Sequence, residues 1–144
     1  MNNNNKINFT YDTTGYTTCY LYYDGKEFIG KTFCYPEDMD FWSEKTGCFI
    51  AECKANIKKL KYIKSKLVEE VNTLTKTENI LKSCKYYNPE HFESKRLHKI
   101  ISQKSVELEE LKNCIKDEEE YLHKYIQDKD NFYKKIRAKK GQTK

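Results

Sequence analysis

Apolar residues recur at heptad spacing through the middle of the chain. Leucines occupy every seventh position from residue 60 to residue 81, and Ile50, Ile57 and Val71 form a second series at the companion heptad position. This pattern, which Lys64 and Glu78 interrupt, predicts a long helix that packs against a partner helix. A second stripe follows at Leu97, Ile101, Leu108, Leu111, Ile115 and Leu122, and it ends near Phe132 and Ile136.

A short polar break at residues 86–90 separates the two stripes. Asn88 can cap a helix and Pro89 can open one, so the first helix is predicted to end near Lys85 and the second to run from Pro89 to about Ala138. The short connection favours an antiparallel hairpin within one chain, and an antiparallel dimer is the alternative.

Charged residues support the antiparallel arrangement. If the chain folds back at Asn88, the lysines of residues 54–66 lie along the carboxylates of residues 109–120, and Glu69, Glu70 and Glu78 lie along the basic residues of 95–104. Each exposed ion pair contributes only about a few tenths of a kcal/mol, so these charges select the register more than they stabilise it.

Alternating apolar residues near the N-terminus predict a small antiparallel sheet. Ile7, Phe9 and Tyr11 alternate as in a half-buried strand, and residues 16–23 and 26–35 are rich in β-branched and aromatic side chains. Asp24-Gly25 predicts a type I′ turn between the second and third strands. Gly30 within the third strand indicates a bulge or a close backbone approach.

These elements together predict an α+β fold, in which a small antiparallel β-sheet precedes a long antiparallel helical hairpin of the coiled-coil type. The predicted divisions are a disordered lead at 1–5, a small β domain at 6–42, the helical hairpin at 43–138 with its turn near 86–90, and a basic tail at 139–144. Charged residues make up 34% of the chain and hydrophobic residues 38%, which fits a hairpin that buries one stripe per helix.

The composition of the chain and the spacing of its cysteines, glycines and histidines argue against a membrane protein, a metal protein and an enzyme. No run of 18 apolar residues and no N-terminal apolar segment is present, so we expect no membrane partner and a location in the cytoplasm of the host cell. The six cysteines could form three disulfides in a secreted protein, but reduced thiols are predicted, because Cys53 and Cys84 fall on or near the apolar stripe of a helix. The cysteines and histidines also lack the spacing of a metal site. Scattered glycines and isolated histidines predict no cofactor and no catalytic residue, and hence no enzyme.

Two groups of residues are candidates for partner binding. Tyr20 and Tyr22 share one face of the second strand and could stack on bases or anchor a protein, or simply shield the sheet. The net charge of +5 is concentrated near the C-terminus, where a cluster could contact phosphates, neutralise residues 37–44, or form a soluble helix end. This basic cluster consists of Lys134, Lys135, Arg137, Lys139 and Lys140.

The segment at 30–55 resembles a motif in small uncharacterised proteins of bacteriophages and prophages of low-GC Gram-positive bacteria. Their pattern is Gly-x-Ala-x-Cys-x-Pro-x-Asp-x-Phe, followed by a glycine and an apolar-Ala pair. The matching residues are Gly30, Cys34, Pro36, Asp38, Gly47, Ile50, Ala51 and Ala55. Thr32 replaces the usual alanine, and Phe41 is displaced by one residue.

The resemblance implies a strand that runs into a helix and an accessory role in a phage, such as countering CRISPR defence. The leading hypothesis is therefore a non-enzymatic inhibitor, of anti-CRISPR type, that binds a host defence nucleoprotein such as a CRISPR-Cas effector. The alternatives are a direct nucleic-acid-binding protein and a coiled-coil assembly protein. A monomer and a homodimer both fit these hypotheses.

Overall fold

The fold was analysed in a computed structural model, which describes residues 6–11, 15–34 and 44–142, with side chains as far as Lys139. Three strands precede two long helices: β1 (Ile7–Tyr11), β2 (Tyr16–Tyr23), β3 (Lys26–Phe33), α1 (Glu44–Lys82) and α2 (Phe92–Gln142). The predicted α+β architecture of a small sheet followed by a helical hairpin is confirmed. The predicted lead at 1–5 and the motif residues Pro36 and Asp38 lie outside the described residues.

The sheet is an antiparallel meander with strand order β1-β2-β3. Its central strand places Cys19 opposite Phe9 on one side and opposite Gly30 on the other. Asp24 and Gly25 have φ angles of 53° and 69°, so both adopt the left-handed conformation that a type I′ turn requires. The turn and the register of β2 with β3 therefore follow from the local sequence.

Small residues join the inner face of the sheet to α1. Cys19 and Leu21 of β2 are buried in one cluster with Ala51 and Ala55, both of which have no exposed surface. A Cβ atom on Gly30 would lie 1.9 Å from the Ala51 carbonyl oxygen and 2.6 Å from the Ala55 nitrogen. The glycine and the two alanines of the motif thus allow the backbones of β3 and α1 to approach closely.

The chain divides into two compact units, residues 1–59 with 116–144 and residues 60–115. In the first unit, Ile50 and Ile57 of α1 are buried against Leu122 of α2, and the Phe49 ring lies 4.6 Å from the Tyr125 ring between centroids. Phe49 contacts α2, because Ala51 and Ala55 occupy the side of α1 that faces the strands.

Ion pairs within residues 60–115 fit the predicted antiparallel register. Lys104 of α2 lies 2.7 Å from Glu70 of α1, and His98 lies 3.2 Å from Glu78. The expected match between Lys66 and Glu109 is replaced by contacts within each helix, since Lys66 lies 3.9 Å from Glu69 and Glu109 lies 3.3 Å from Lys112. Neighbours three residues apart on an exposed helix face compete with partners on the other helix.

The helix ends differ from the predicted positions. α1 ends at Lys82 rather than near Lys85, and α2 begins at Phe92 rather than at Pro89. His91 caps α2, because its Nδ1 atom accepts a hydrogen bond from the Glu93 amide at 3.2 Å. α2 also continues through residues 139–142, where the sequence predicted a tail.

Glu78 provides a test of the interhelical contact. Its carboxylate is 12% exposed and lies 3.3 Å from Lys82 as well as 3.2 Å from His98. Burial alone would raise the pKa of Glu78, but the hydrogen bonds and charges of His98 and Lys82 outweigh it, so the pKa lies below its ordinary value. A lowered carboxyl pKa stabilises the folded state above the unfolded pKa, and this stabilisation is lost as the pH falls through the folded pKa.

We therefore expect Glu78→Gln to lower the melting temperature by a few degrees at pH 7 and to have no such effect well below pH ~4. Thermal unfolding followed by circular dichroism from pH 3 to pH 7 measures the difference. Glu69→Gln, at a site whose carboxylate is 69% exposed, is the control and should change the melting temperature little. A deficit for Glu78→Gln that persists at pH 3 would contradict the proposed ion pairing.

Neither helix, over its described residues, contains a segment that is both long enough and apolar enough to cross a lipid bilayer.

Candidate partner-binding surface

The face of the sheet that points away from α1 carries most of the aromatic side chains of β2. Successive strand residues point to opposite faces, so the burial of Cys19 and Leu21 against α1 places Tyr16, Tyr20 and Tyr22 on the opposite side. We call this side the outer face. Its members on β2 and β3 are Tyr16, Thr18, Tyr20, Tyr22, Glu27, Ile29, Lys31 and Phe33.

Cross-strand pairs arrange the aromatic rings of the outer face. Tyr16 pairs with Phe33 at a centroid distance of 4.7 Å, and Lys31 Nζ lies 4.6 Å from the centre of the Tyr16 ring. The ring quadrupole attracts the ammonium group. Tyr16 and Ile29 are 37% and 38% exposed.

Tyr20 and Tyr22 lie where the sequence predicted them, beside each other on the outer face, and both are half-buried. Tyr20 pairs with Ile29 and Tyr22 with Glu27. A hydrogen bond to Glu27, followed by burial and the charge of Glu27, raises the pKa of the Tyr22 phenol. The phenol is therefore neutral at pH 7 and donates to the carboxylate, which holds the ring in a fixed orientation.

Two lysines of α1 lie along the edge of β3 that faces away from β2. Lys54 Nζ donates to the Lys31 carbonyl oxygen at 2.9 Å, and Lys58 Nζ donates to the Ile29 carbonyl oxygen at 2.6 Å. Positive charge along an edge strand opposes pairing with a strand of another chain. Together with Lys31, these side chains make the free edge of β3 basic.

The basic cluster at 134–140 lies on the last turns of α2. Lys134 lies 3.1 Å from Asp130, Lys135 and Lys139 are exposed, and Arg137 is half-buried. The side chain of Lys140 lies outside the described residues. α2 packs on α1 through Leu122 and Tyr125, whereas the tyrosines of the outer face lie on the side of the sheet that points away from α1.

The pKa values of Cys19 and Tyr11 both lie above their ordinary values. Burial, followed by the charges of Glu52 and Cys48, raises the pKa of Cys19 to about 11, so Cys19 is a protonated thiol at pH 7. A hydrogen bond with Cys48, at 2.7 Å between Oη and Sγ, is the main cause that raises the pKa of Tyr11 to about 12. Among the residues that the structure describes, His, Cys, Asp and Glu side chains form no group of three or more able to hold a metal ion.

Sequence reasoning found two residues of the outer face and missed others. Tyr16 lies four residues before Tyr20, an even spacing that puts both on one face of a strand, so the periodicity of β2 alone could have identified it. Lys54 and Lys58 carry no comparable signal, because their role depends on the distance between α1 and β3, which the small residues at the contact determine.

No family model, curated protein or solved structure matches this chain. The function is therefore inferred from the chemistry of the surfaces described above.

Proposed function

We propose that this protein is a non-enzymatic inhibitor of phage type, which binds a host defence nucleoprotein such as a CRISPR-Cas effector in the host cytoplasm. The observation that carries the proposal is the outer face, where β2 presents three tyrosines beside Ile29 and Lys31 of β3. Tyrosine is enriched at the energetically dominant positions of protein interfaces, because its ring buries a large area and its hydroxyl group forms hydrogen bonds.

The same face suits a partner that contains nucleic acid. Aromatic rings on a sheet can stack on unpaired bases, and lysines beside them can contact the phosphates. Lys31, Lys54 and Lys58 along β3 supply that positive charge. A nucleoprotein presents both a protein surface and phosphates, so it fits the outer face better than either component alone.

Substitution of the two predicted tyrosines tests this proposal. We expect Tyr20→Thr with Tyr22→Thr to weaken binding to a purified guide-loaded Cas effector by about 30-fold or more, as truncation of a central interface aromatic does. Threonine retains the preference for a strand, so the sheet is expected to persist. Biolayer interferometry against a panel of such effectors measures the affinity, and circular dichroism checks the fold.

Tyr86→Thr is the matched control, because Tyr86 lies in the connection between α1 and α2 and is 88% exposed. Its affinity is expected to equal that of the wild type. The proposal is contradicted if the wild type binds no effector in the panel, or if the control loses as much affinity as the double variant.

Direct binding of nucleic acid is the second candidate function. Exposed Lys135 and Lys139 on α2 favour it, since cations on one helix end can contact a phosphate backbone. It predicts a gel shift of single-stranded RNA or DNA that weakens steeply with salt and on Lys135→Gln with Lys139→Gln. An unshifted probe at low salt would eliminate this candidate.

The third hypothesis, assembly through helices of separate chains, has less support. Phe49, Ile50 and Ile57 already pack against Leu122 and Tyr125 within one chain. Light scattering at micromolar concentration distinguishes a monomer from the larger species that an assembly role requires.

A further inference from the structure

A cavity of about 280 Å³ lies where the end of β3 meets α1 and α2, within the unit formed by residues 1–59 and 116–144. Its apolar walls are formed by Phe33, Ile50, Ile126 and Tyr133. Typical ligand sites enclose about 300–1,000 Å³, so this cavity suits a compound of one or two aromatic rings rather than a larger ligand.

Lys54 places a positive charge at this apolar cavity. Its side chain lines the cavity, is half-buried, and donates one hydrogen bond, to the Lys31 carbonyl oxygen at 2.9 Å. An ammonium group has three N–H donors, and a buried cation usually has an anionic partner. Burial and the nearby charge of Lys58 both lower the pKa of Lys54, in agreement with a cation that lacks such a partner.

Among the described residues, the charged side chains that line the cavity leave an excess of positive charge. Lys129, His123 and Asp130 also line it. Asp130 lies 3.1 Å from Lys134 outside the cavity lining, so its carboxylate is already neutralised. Lys129 Nζ lies 5.6 Å from the centre of the Tyr125 ring. An anionic group of a ligand would therefore meet a complementary charge here.

We propose that this cavity binds a small aromatic carboxylate, whose ring packs among Phe33, Ile50, Ile126 and Tyr133 and whose carboxylate accepts hydrogen bonds from Lys54. This site shares Phe33 with the outer face and Lys54 with the basic edge of β3, but it does not depend on the proposed inhibitor function. It explains why a half-buried lysine lies beside apolar walls. A charge-assisted hydrogen bond to Lys54 would fix the orientation of the ring.

Titration of the full chain with 2-naphthoate tests the proposal. In a sample with labelled isoleucine methyl groups, the NMR signals of Ile50 and Ile126 should shift saturably, with a dissociation constant of about 1 mM or lower. Ile80, which is 66% exposed and outside the cavity lining, serves as the internal reference and should not shift.

Two comparisons separate this site from weak apolar association. The neutral amide, 2-naphthamide, should bind the wild type about tenfold or more weakly than the acid. Lys54→Met should weaken binding of the acid to that of the amide. Lys58→Met is the matched control, because Lys58 lies one turn further along α1 and donates to Ile29 rather than lining the cavity.

Either of two results would overturn the proposal. One is the absence of saturable shifts at Ile50 and Ile126; the other is equal affinity of the wild type for the acid and the amide. Both results are measured on the wild-type chain, so they do not depend on whether a variant folds. Equal weakening by Lys54→Met and Lys58→Met would also contradict a specific role for Lys54.

The same carboxylate chemistry could come from a free metabolite or from the C-terminal residue of a peptide. The peptide Gly-Gly-Phe with a free terminal carboxylate distinguishes these sources when it is compared with 2-naphthoate. Tighter binding of the peptide identifies a chain terminus, and tighter binding of the naphthoate identifies a free small molecule. In both cases the amidated or neutral counterpart should bind more weakly.

Discussion

Gly30→Ala is expected to lower the free energy of unfolding by about 3 kcal/mol or more. The added Cβ atom would lie 1.9 Å from the Ala51 carbonyl oxygen and 2.6 Å from the Ala55 nitrogen. Both atoms belong to the backbone of α1, so no side-chain rotation can relieve the overlap. β3 and α1 must separate, which opens the cluster that buries Cys19 and Leu21.

Urea unfolding followed by circular dichroism measures this effect, and Gly25→Ala provides the contrast. Gly25 has a φ angle of 69° with nothing within 4 Å of a built Cβ atom, so alanine there meets strain in the backbone alone. We expect Gly25→Ala to cost about 1–2 kcal/mol. If Gly30→Ala is the milder of the two substitutions, the close approach of β3 to α1 is wrong.

The local parts of the fold could be predicted from the sequence because short-range rules determine them. Asp24-Gly25 specifies a type I′ turn, and that turn fixes the register of β2 with β3. The heptad stripes specify two paired helices, and the Glu70–Lys104 pair lies in the register that the charges predicted. Gly30 indicated a close approach, although the sequence could not identify the atoms on the other side.

Other features depend on distances that no sequence pattern encodes. His91 caps α2 through its ring nitrogen, and histidine is not among the residues that usually signal a helix start. The charge pattern predicts that Lys54 and Lys58 face carboxylates of the second helix, yet both donate to backbone carbonyls of β3. Long lysine side chains can follow an apolar surface to a distant acceptor, so their partners cannot be deduced from spacing.

The division between the two faces of the sheet links the fold to the proposed function. Gly30, Ala51 and Ala55 let α1 pack closely on the inner face, where Cys19 and Leu21 are buried with Phe9 and Phe28 beside them. Because side chains alternate along β2, this packing leaves Tyr16, Tyr20 and Tyr22 on the outer face, which is the surface that we propose a partner contacts.

Leu122→Ala is expected to lower the free energy of unfolding by about 2–4 kcal/mol. Leu122 is 7% exposed and lies in the cluster with Ile50 and Ile57, where α2 packs on α1. Removing its side chain loses buried apolar area and leaves a void that two continuous helices cannot fully close. Only a narrow stripe of side chains is buried between α1 and α2, so few neighbouring side chains can move into the void.

Leu81→Ala is the control, because it makes the same chemical change at a leucine of the heptad stripe that is 40% exposed in the last turn of α1. We expect it to cost less than about 1 kcal/mol, since much of that side chain already contacts water. Urea midpoints of both variants give the comparison. A loss for Leu122→Ala no larger than that for Leu81→Ala would show that α1 and α2 are not held together at Ile50 and Ile57, and both the cavity walls and the intramolecular hairpin would then have to be reconsidered.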